Sequence, residues 1–261
     1  MLALLLVAVG ALEDTPRTPS IYRCPAAEAE SKFFEPLIDS DGFDTYCVEP
    51  KPGPRATAAA KGKVKFISAK LIDTPANLRW RNAAIDFVNG KISPREWLSK
   101  TKGLHETIHF LSNPKTADLR SATGAVTRRA VQAEMLVLSW PGKPCFTADD
   151  IVQTRYFPGP GAYESWILAM NDYLGPMLYG RSQNSSLVTG NPKIVRADPA
   201  PGLLIFTLPD GKKTQTFYFN NSKDPIALPP IKLELLTINV GLNLEGAKPF
   251  LNSGGFAIVG S

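Results

Sequence analysis

The spacing of apolar and polar positions becomes regular at Val64. In KVKFISAKLI, Val64 and Phe66 stand between lysines, which is the two-residue period of a strand. Thr74 and Pro75 then open TPANLRWRNAAIDFVNGK. They supply a side-chain acceptor for the first turn of a helix and a proline where its missing N–H does no harm, and Gly90 closes the stretch. Ser93, Pro94 and Glu96 repeat that punctuation as a capping box, so a second helix is predicted to approach Gly103. SATGAVTRRAVQAEMLVLSW, from Ser121, is a further helical stretch. Beyond Asn191 the period changes again. GLLIFTLPDGKKTQTFYF predicts two strands around an Asp210-Gly211 turn, and IKLELLTINVGLNL predicts another strand.

These patterns divide the chain into a leader (1–19), an N-terminal segment (20–60), a core (61–181) and a β-rich C-terminal subdomain (182–261). The uncharged run from Leu2 to Leu12 precedes a polar, proline-containing stretch and reads as a signal peptide, so the mature chain is expected to start near residue 12, secreted or periplasmic. No later run reaches the roughly 18 apolar residues of a membrane span. Cys24 and Cys47 flank a polar, acidic loop, and a bridge between them would remove on the order of 3 kcal/mol of unfolded-state entropy. Cys145 is left over, and no CxxC spacing supports a cysteine-held metal. The segment from Glu49 to Lys63, rich in proline, alanine and lysine, is expected to be a linker. Asn184 and Asn220 head glycosylation sequons.

Composition narrows the function classes. The 44% apolar content suits a packed globular chain. The 29 basic residues against 24 acidic ones give +5, but they are scattered. That argues against nucleic acid as the main partner and is compatible with peripheral contact with an anionic surface.

The chemistry concentrates in GLHETIHFLSN, which holds both histidines of the chain. On a helix, His105 and His109 would share one face and converge on one ion, with Glu106 turned by about 100° beside them. Zn²⁺ bound there would lower the pKa of a water to about 7, and the neighbouring carboxylate would accept its proton.

HETIH resembles the HExxH motif of the zincin metallopeptidases, with uncharged Leu104, Thr107, Ile108 and Phe110 around it. The resemblance implies an α+β fold: a zincin-like helical core with a small sheet, followed by the β-rich subdomain. It also implies zinc on His105 and His109, with Glu106 as general base. The metzincin extension is not met, because Ser112 and Lys115 occupy its glycine and histidine slots. As in gluzincins, a carboxylate is then expected as third ligand: Glu134 in its apolar run, with Glu164 in GPGAYESWILAMNDYL as rival. Tyr163 is the expected oxyanion donor, and Tyr156 its alternative. The activity so implied is an exported zinc metallopeptidase acting on a protein or peptide. A secreted binding protein with a structural or degenerate zinc site, or a protease toxin acting on a target-cell protein, are the alternatives.

Overall fold

The computed structural model describes residues 18–31, 38, 43–104, 107–124, 127–147, 150, 175–231, 236–244 and 248–260. His105, Glu106, Tyr156, Tyr163, Glu164 and the apolar leader lie outside them. Two sheets follow one another along the chain. The first is parallel and holds β1 (Thr18–Pro25), β2 (Phe43–Glu49), β3 (Lys65–Phe66), β4 (Ile108–Phe110) and β5 (Lys143–Thr147) in the order β3-β2-β1-β5-β4. The second is antiparallel and holds β6 (Lys193–Ala197), β7 (Leu203–Asp210), β8 (Lys213–Asn220), β10 (Leu236–Asn243) and β11 (Phe250–Gly260). The two-residue β9 (Ile226–Ala227) pairs with β11.

Read as β4-β5-β1-β2-β3, the order of the parallel sheet is cyclic. The last strand pairs with the first, Ile21 opposite Cys145, as happens where a β/α chain winds round a barrel. Only β3 and β4 share no ladder among the described residues. Ile67, Ala69 and Ile72 after β3 nevertheless pack in one cluster with Ile108 and Phe110 of β4 and with Ile21, Cys47 and Cys145. The sheet is therefore curved into a partial barrel with a seam between β3 and β4. This overturns the expected zincin-like α+β core. Such a parallel sheet needs both faces covered, and each of Ser20 to Cys24 along β1 is accordingly buried.

Helices cover the outer face. Among the described residues, the helices with more than one turn are α1 (Pro54–Ala60), α2 (Pro75–Val88), α3 (Pro94–Thr101), α4 (Thr127–Ser139) and α5 (Gly175–Gln183). Residues expected to be linker thus form α1. The capping signals act as read: Thr74 Oγ1 accepts the N–H of Asn77 at 3.2 Å, and Ser93 Oγ accepts that of Glu96 at 3.0 Å. Trp80, Ala84, Phe87 and Val88 of α2 enter the core. The predicted hairpin also forms, with Gly211 at φ +60 in the tight turn between β7 and β8.

One hydrophobic core runs through both sheets, from Tyr22 and Tyr46 to Phe206, Phe219 and Phe256. Trp140 stands edge-on to Trp97 (4.6 Å) and to Phe206 (5.0 Å), linking the helical layer to the second sheet. Asn221, 3% exposed, adds a polar clamp: its Nδ2 donates to the carbonyls of Phe87 and Ile92, both at 2.9 Å.

The cysteines do not bridge. Arg23 stands opposite Cys47 and Cys24 opposite Val48, so Cys24 and Cys47 point to opposite faces of the sheet, and all three cysteines are buried outside any disulfide. Neither sequon is open in the folded chain, since Asn184 is 4% exposed and Asn220 fully buried. No helix among the described residues is long and apolar enough to cross a membrane.

Candidate functional site

The carboxyl ends of the parallel strands gather charge on the inner face. Arg23 lies near the end of β1, and strand alternation turns it inward with Ile21, opposite Cys47. It is 3% exposed, and an arginine so buried requires partners. Its Nε donates to Glu49 Oε2 at 2.7 Å, at the end of β2. Its two terminal nitrogens donate to Asp73 Oδ1 at 2.8 Å and Oδ2 at 3.2 Å, beyond β3. Asn113, in the loop after β4, donates Nδ2 to the same Asp73 Oδ1 at 3.0 Å. Four strand ends thus meet in one hydrogen-bonded cluster, while the end of β5 carries buried Asp150, whose Oδ2 accepts the N–H and the hydroxyl of Thr147.

Burial alone would pull the Arg23 guanidinium down, but its bonds to Glu49 and Asp73, with their charges, hold it above its ordinary value. Burial alone would push Asp73 up. The bonds from Arg23 and Asn113, with the charges of Arg23 and Lys115, outweigh it and keep this carboxylate below the usual range. Burial pushes the Cys47 thiol up to about 11 despite the Arg23 charge, and Cys145 is also raised by burial, so both are protonated at neutral pH.

Exposure separates the carboxylates. The Glu49 side chain is 31% exposed and that of Asp73 14%. Glu49 Oε2 is held by Arg23, while Oε1 faces no donor among the described residues. Glu28 and Glu30, just after β1, are occupied by the Tyr22 hydroxyl and by the N–H groups of Arg55 and Ala56, and Asp118 beyond β4 is occupied by Ser121. Glu49 is therefore the more exposed of the two carboxylates that Arg23 holds in this cluster.

The motif expected to bind zinc has another geometry. Gly103, at φ +76, lies just beyond the end of α3, and Ile108–Phe110 is strand β4, so the helical register that would bring the two imidazoles onto one face does not form. Ile108 and Phe110 face inward, and His109 turns to the helix-covered side. There its ring stacks on Trp80 at 4.0 Å and 8°, and Nε2 lies 3.1 Å from the carbonyl of Leu104. Glu134 lies on α4, 1% exposed. Among the described residues, no group of three or more His, Cys, Asp or Glu side chains could hold a metal ion.

Sequence reasoning missed Arg23, Glu49, Asp73 and Asn113. One signal was present: in SIYRCP a charged residue interrupts an apolar run, which demands a buried partner from elsewhere in the chain.

No family model and no curated protein matches the chain. Solved structures do. A debranching enzyme from Nostoc punctiforme matches at TM-score 0.56 and 14% identity, over 89% of this chain and 63% of that one. The cyclic alpha-maltosyl-(1→6)-maltose hydrolase of Arthrobacter globiformis matches at 0.54 and 14%, over 84% and 57%. The α-amylase of Geobacillus thermoleovorans, complexed with acarbose, matches at 0.52 and 12%, over 86% and 61%. The chain spans about three fifths of the length of these proteins. This likeness overturns the zincin resemblance, and with it the metallopeptidase activity and the peptide substrate that rested on it. What it shows is a fold: a parallel β/α segment followed by an antiparallel sheet, as in α-amylases and debranching enzymes.

Proposed function

We propose that this chain recognises an α-linked gluco-oligosaccharide at the carboxyl ends of its parallel strands. The observation that carries the reading is Glu49, held at Oε2 by Arg23 with its side chain 31% exposed beside the ends of the strands. β/α barrels place their sites at this end of the sheet, because the loops there converge from several strands. A carboxylate fixed by a buried arginine is a directional acceptor for a sugar hydroxyl. Two of the similar structures carry acarbose or maltose, which gives the ligand class.

Recognition is proposed rather than hydrolysis. Glycoside hydrolysis ordinarily takes two carboxyl groups, one of them protonated to serve as general acid. Among the described residues, Asp73 is held ionised with both oxygens engaged, and Asp150 is fully buried.

Titration calorimetry with maltoheptaose, run beside a reducing-sugar assay, tests the reading. Expected are saturable binding by the wild type, binding about tenfold weaker in Glu49→Gln, and no release of reducing ends. Reducing ends released by the wild type and lost in Glu49→Gln would make the site hydrolytic. A wild type that neither binds nor cleaves would end the glycan reading.

A further inference from the structure

The chain that follows β4 is fastened at both ends of a short stretch. Arg81 of α2, 8% exposed, donates Nε to the carbonyl of Leu111 and a terminal nitrogen to that of Ala117, both at 2.9 Å. Between these two clips Asn113 builds a tight turn. Its Oδ1 accepts the N–H of Lys115 at 2.8 Å, its own N–H donates to Thr116 Oγ1 at 3.1 Å, and its carbonyl accepts the N–H of Thr116 at 3.1 Å. Pro114 fixes one more backbone dihedral inside the turn. Asn113 Nδ2 then ties the whole turn to Asp73. Leu111, Ser112 and Asn113 are buried, whereas Pro114, Lys115 and Ala117 are exposed, and of those three only lysine carries a polar side chain.

The backbone under Lys115 is therefore fixed while its ammonium stands in water. It lies 3.9 Å from Asp73 Oδ2, beyond hydrogen-bond reach, and the side chain is 79% exposed. A contact of that length and exposure contributes little to stability. Asp73 already has its bonds from Arg23 and Asn113. A side chain on so restrained a turn loses less entropy when it meets a ligand. Asp73 and Arg23 are all that stand in the cluster between this ammonium and the Glu49 carboxylate, which is 31% exposed. The strand ends thus show water a donor and an acceptor side by side. A hydroxyl can both donate and accept, so a neutral polyol matches that pair. An anionic group drawn to Lys115 would instead meet the charges of Asp73 and Glu49.

We infer that Lys115 is a second contact residue for the oligosaccharide, donating to one sugar hydroxyl while Glu49 accepts from another. The inference rests on the glycan reading of this face and adds a donor to it.

Two measurements on the full chain test it. Calorimetric titration with maltoheptaose is expected to show binding about tenfold weaker in Lys115→Met than in the wild type, with the same urea midpoint for both proteins. Acetylation of the wild-type lysines by acetic anhydride, followed by mass spectrometry, is expected to slow several-fold at Lys115 when maltoheptaose is present and to stay unchanged at Lys212, which is exposed in the turn between β7 and β8. Equal affinity in Lys115→Met, or a Lys115 acetylated at the same rate with and without the sugar, overturns the inference and leaves the glycan reading standing. Weaker binding accompanied by a lower urea midpoint also overturns it, since Lys115 would then act on the fold. A wild type that binds no maltoheptaose ends the glycan reading, and the inference with it.

Discussion

Asn113 donates to Asp73 at 3.0 Å across the seam, where the two edge strands of the parallel sheet share no ladder among the described residues, and so joins the loops that follow them. The amide and the carboxylate come from positions 40 residues apart, and a buried arginine on a third strand holds the same carboxylate. This small network therefore does two things at once. It finishes the curvature of the barrel and it sets the charge pattern at its mouth.

Removing the arginine should expose the internal tension of that pattern. Arg23→Met keeps most of the side-chain volume but leaves Glu49 and Asp73 without their shared cation, in a place where water reaches Asp73 poorly. Breaking a buried ion pair from one side typically costs about 3–5 kcal/mol. Urea unfolding of Arg23→Met should show a loss of that order with an unchanged slope. A midpoint equal to that of wild type would mean that the cluster contributes little to stability.

Acid should act on the same network. Asp73 and Asp198 are each pushed up by burial but brought below the ordinary carboxylate value of 3.8 by their hydrogen-bonded arginines, and Asp118 is lowered by the N–H and hydroxyl of Ser121. A carboxyl with a depressed folded-state value contributes stability that is complete above its unfolded value and is lost as pH falls through the folded one. The unfolding midpoint should therefore hold steady around neutrality and drop below about pH 4. Asp73→Asn should flatten part of that drop. An identical acid limb in both proteins would remove Asp73 from the account.

His109 offers a test of its own. Its ring fills the space between β4 and α2 against Trp80, with Nε2 bonded to the Leu104 carbonyl. His109→Ala should cost about 2–4 kcal/mol, the order of a large-to-small change in a packed core. It should also shift Trp80 fluorescence. The zinc content of purified wild type and His109→Ala should be equal, since the ring is committed to packing. A stoichiometric difference in zinc between the two would show His109 to be a ligand after all.

Local grammar was legible and distant assembly was not. The caps at Thr74 and Ser93 and the turn at Gly211 are written in neighbouring residues, and the structure uses each of them. GLHETIHFLSN carried two periods at once: histidines four apart suit a helix, while Ile108-His109-Phe110 alternates as a strand. The strand period prevails because burial on both faces of β4 satisfies all three side chains, with Ile108 and Phe110 inside and His109 against Trp80. Similarly, Cys24 and Cys47 look like a bridge only when the chain is read without its register, which sends them to opposite faces. The rim cluster had no local spelling. Arg23, Glu49, Asp73 and Asn113 become neighbours only after the crossovers of a parallel sheet have returned the chain to the same end.

The cyclic strand order sets a schedule for synthesis. β1 lies at the centre of the parallel sheet, yet about 120 residues separate Ile21 from its partner Cys145 on β5. While those residues are being added on the ribosome, β1 can pair with β2 but keeps its other edge open, and the core shared with the second sheet cannot form before β7, β8 and β11 emerge. Until β5 arrives the nascent chain carries an apolar strand with one bare edge, the kind of surface that holdase chaperones shield. A fold wound this way leaves β1 half paired until β5 arrives, and its shared core incomplete until β11 does.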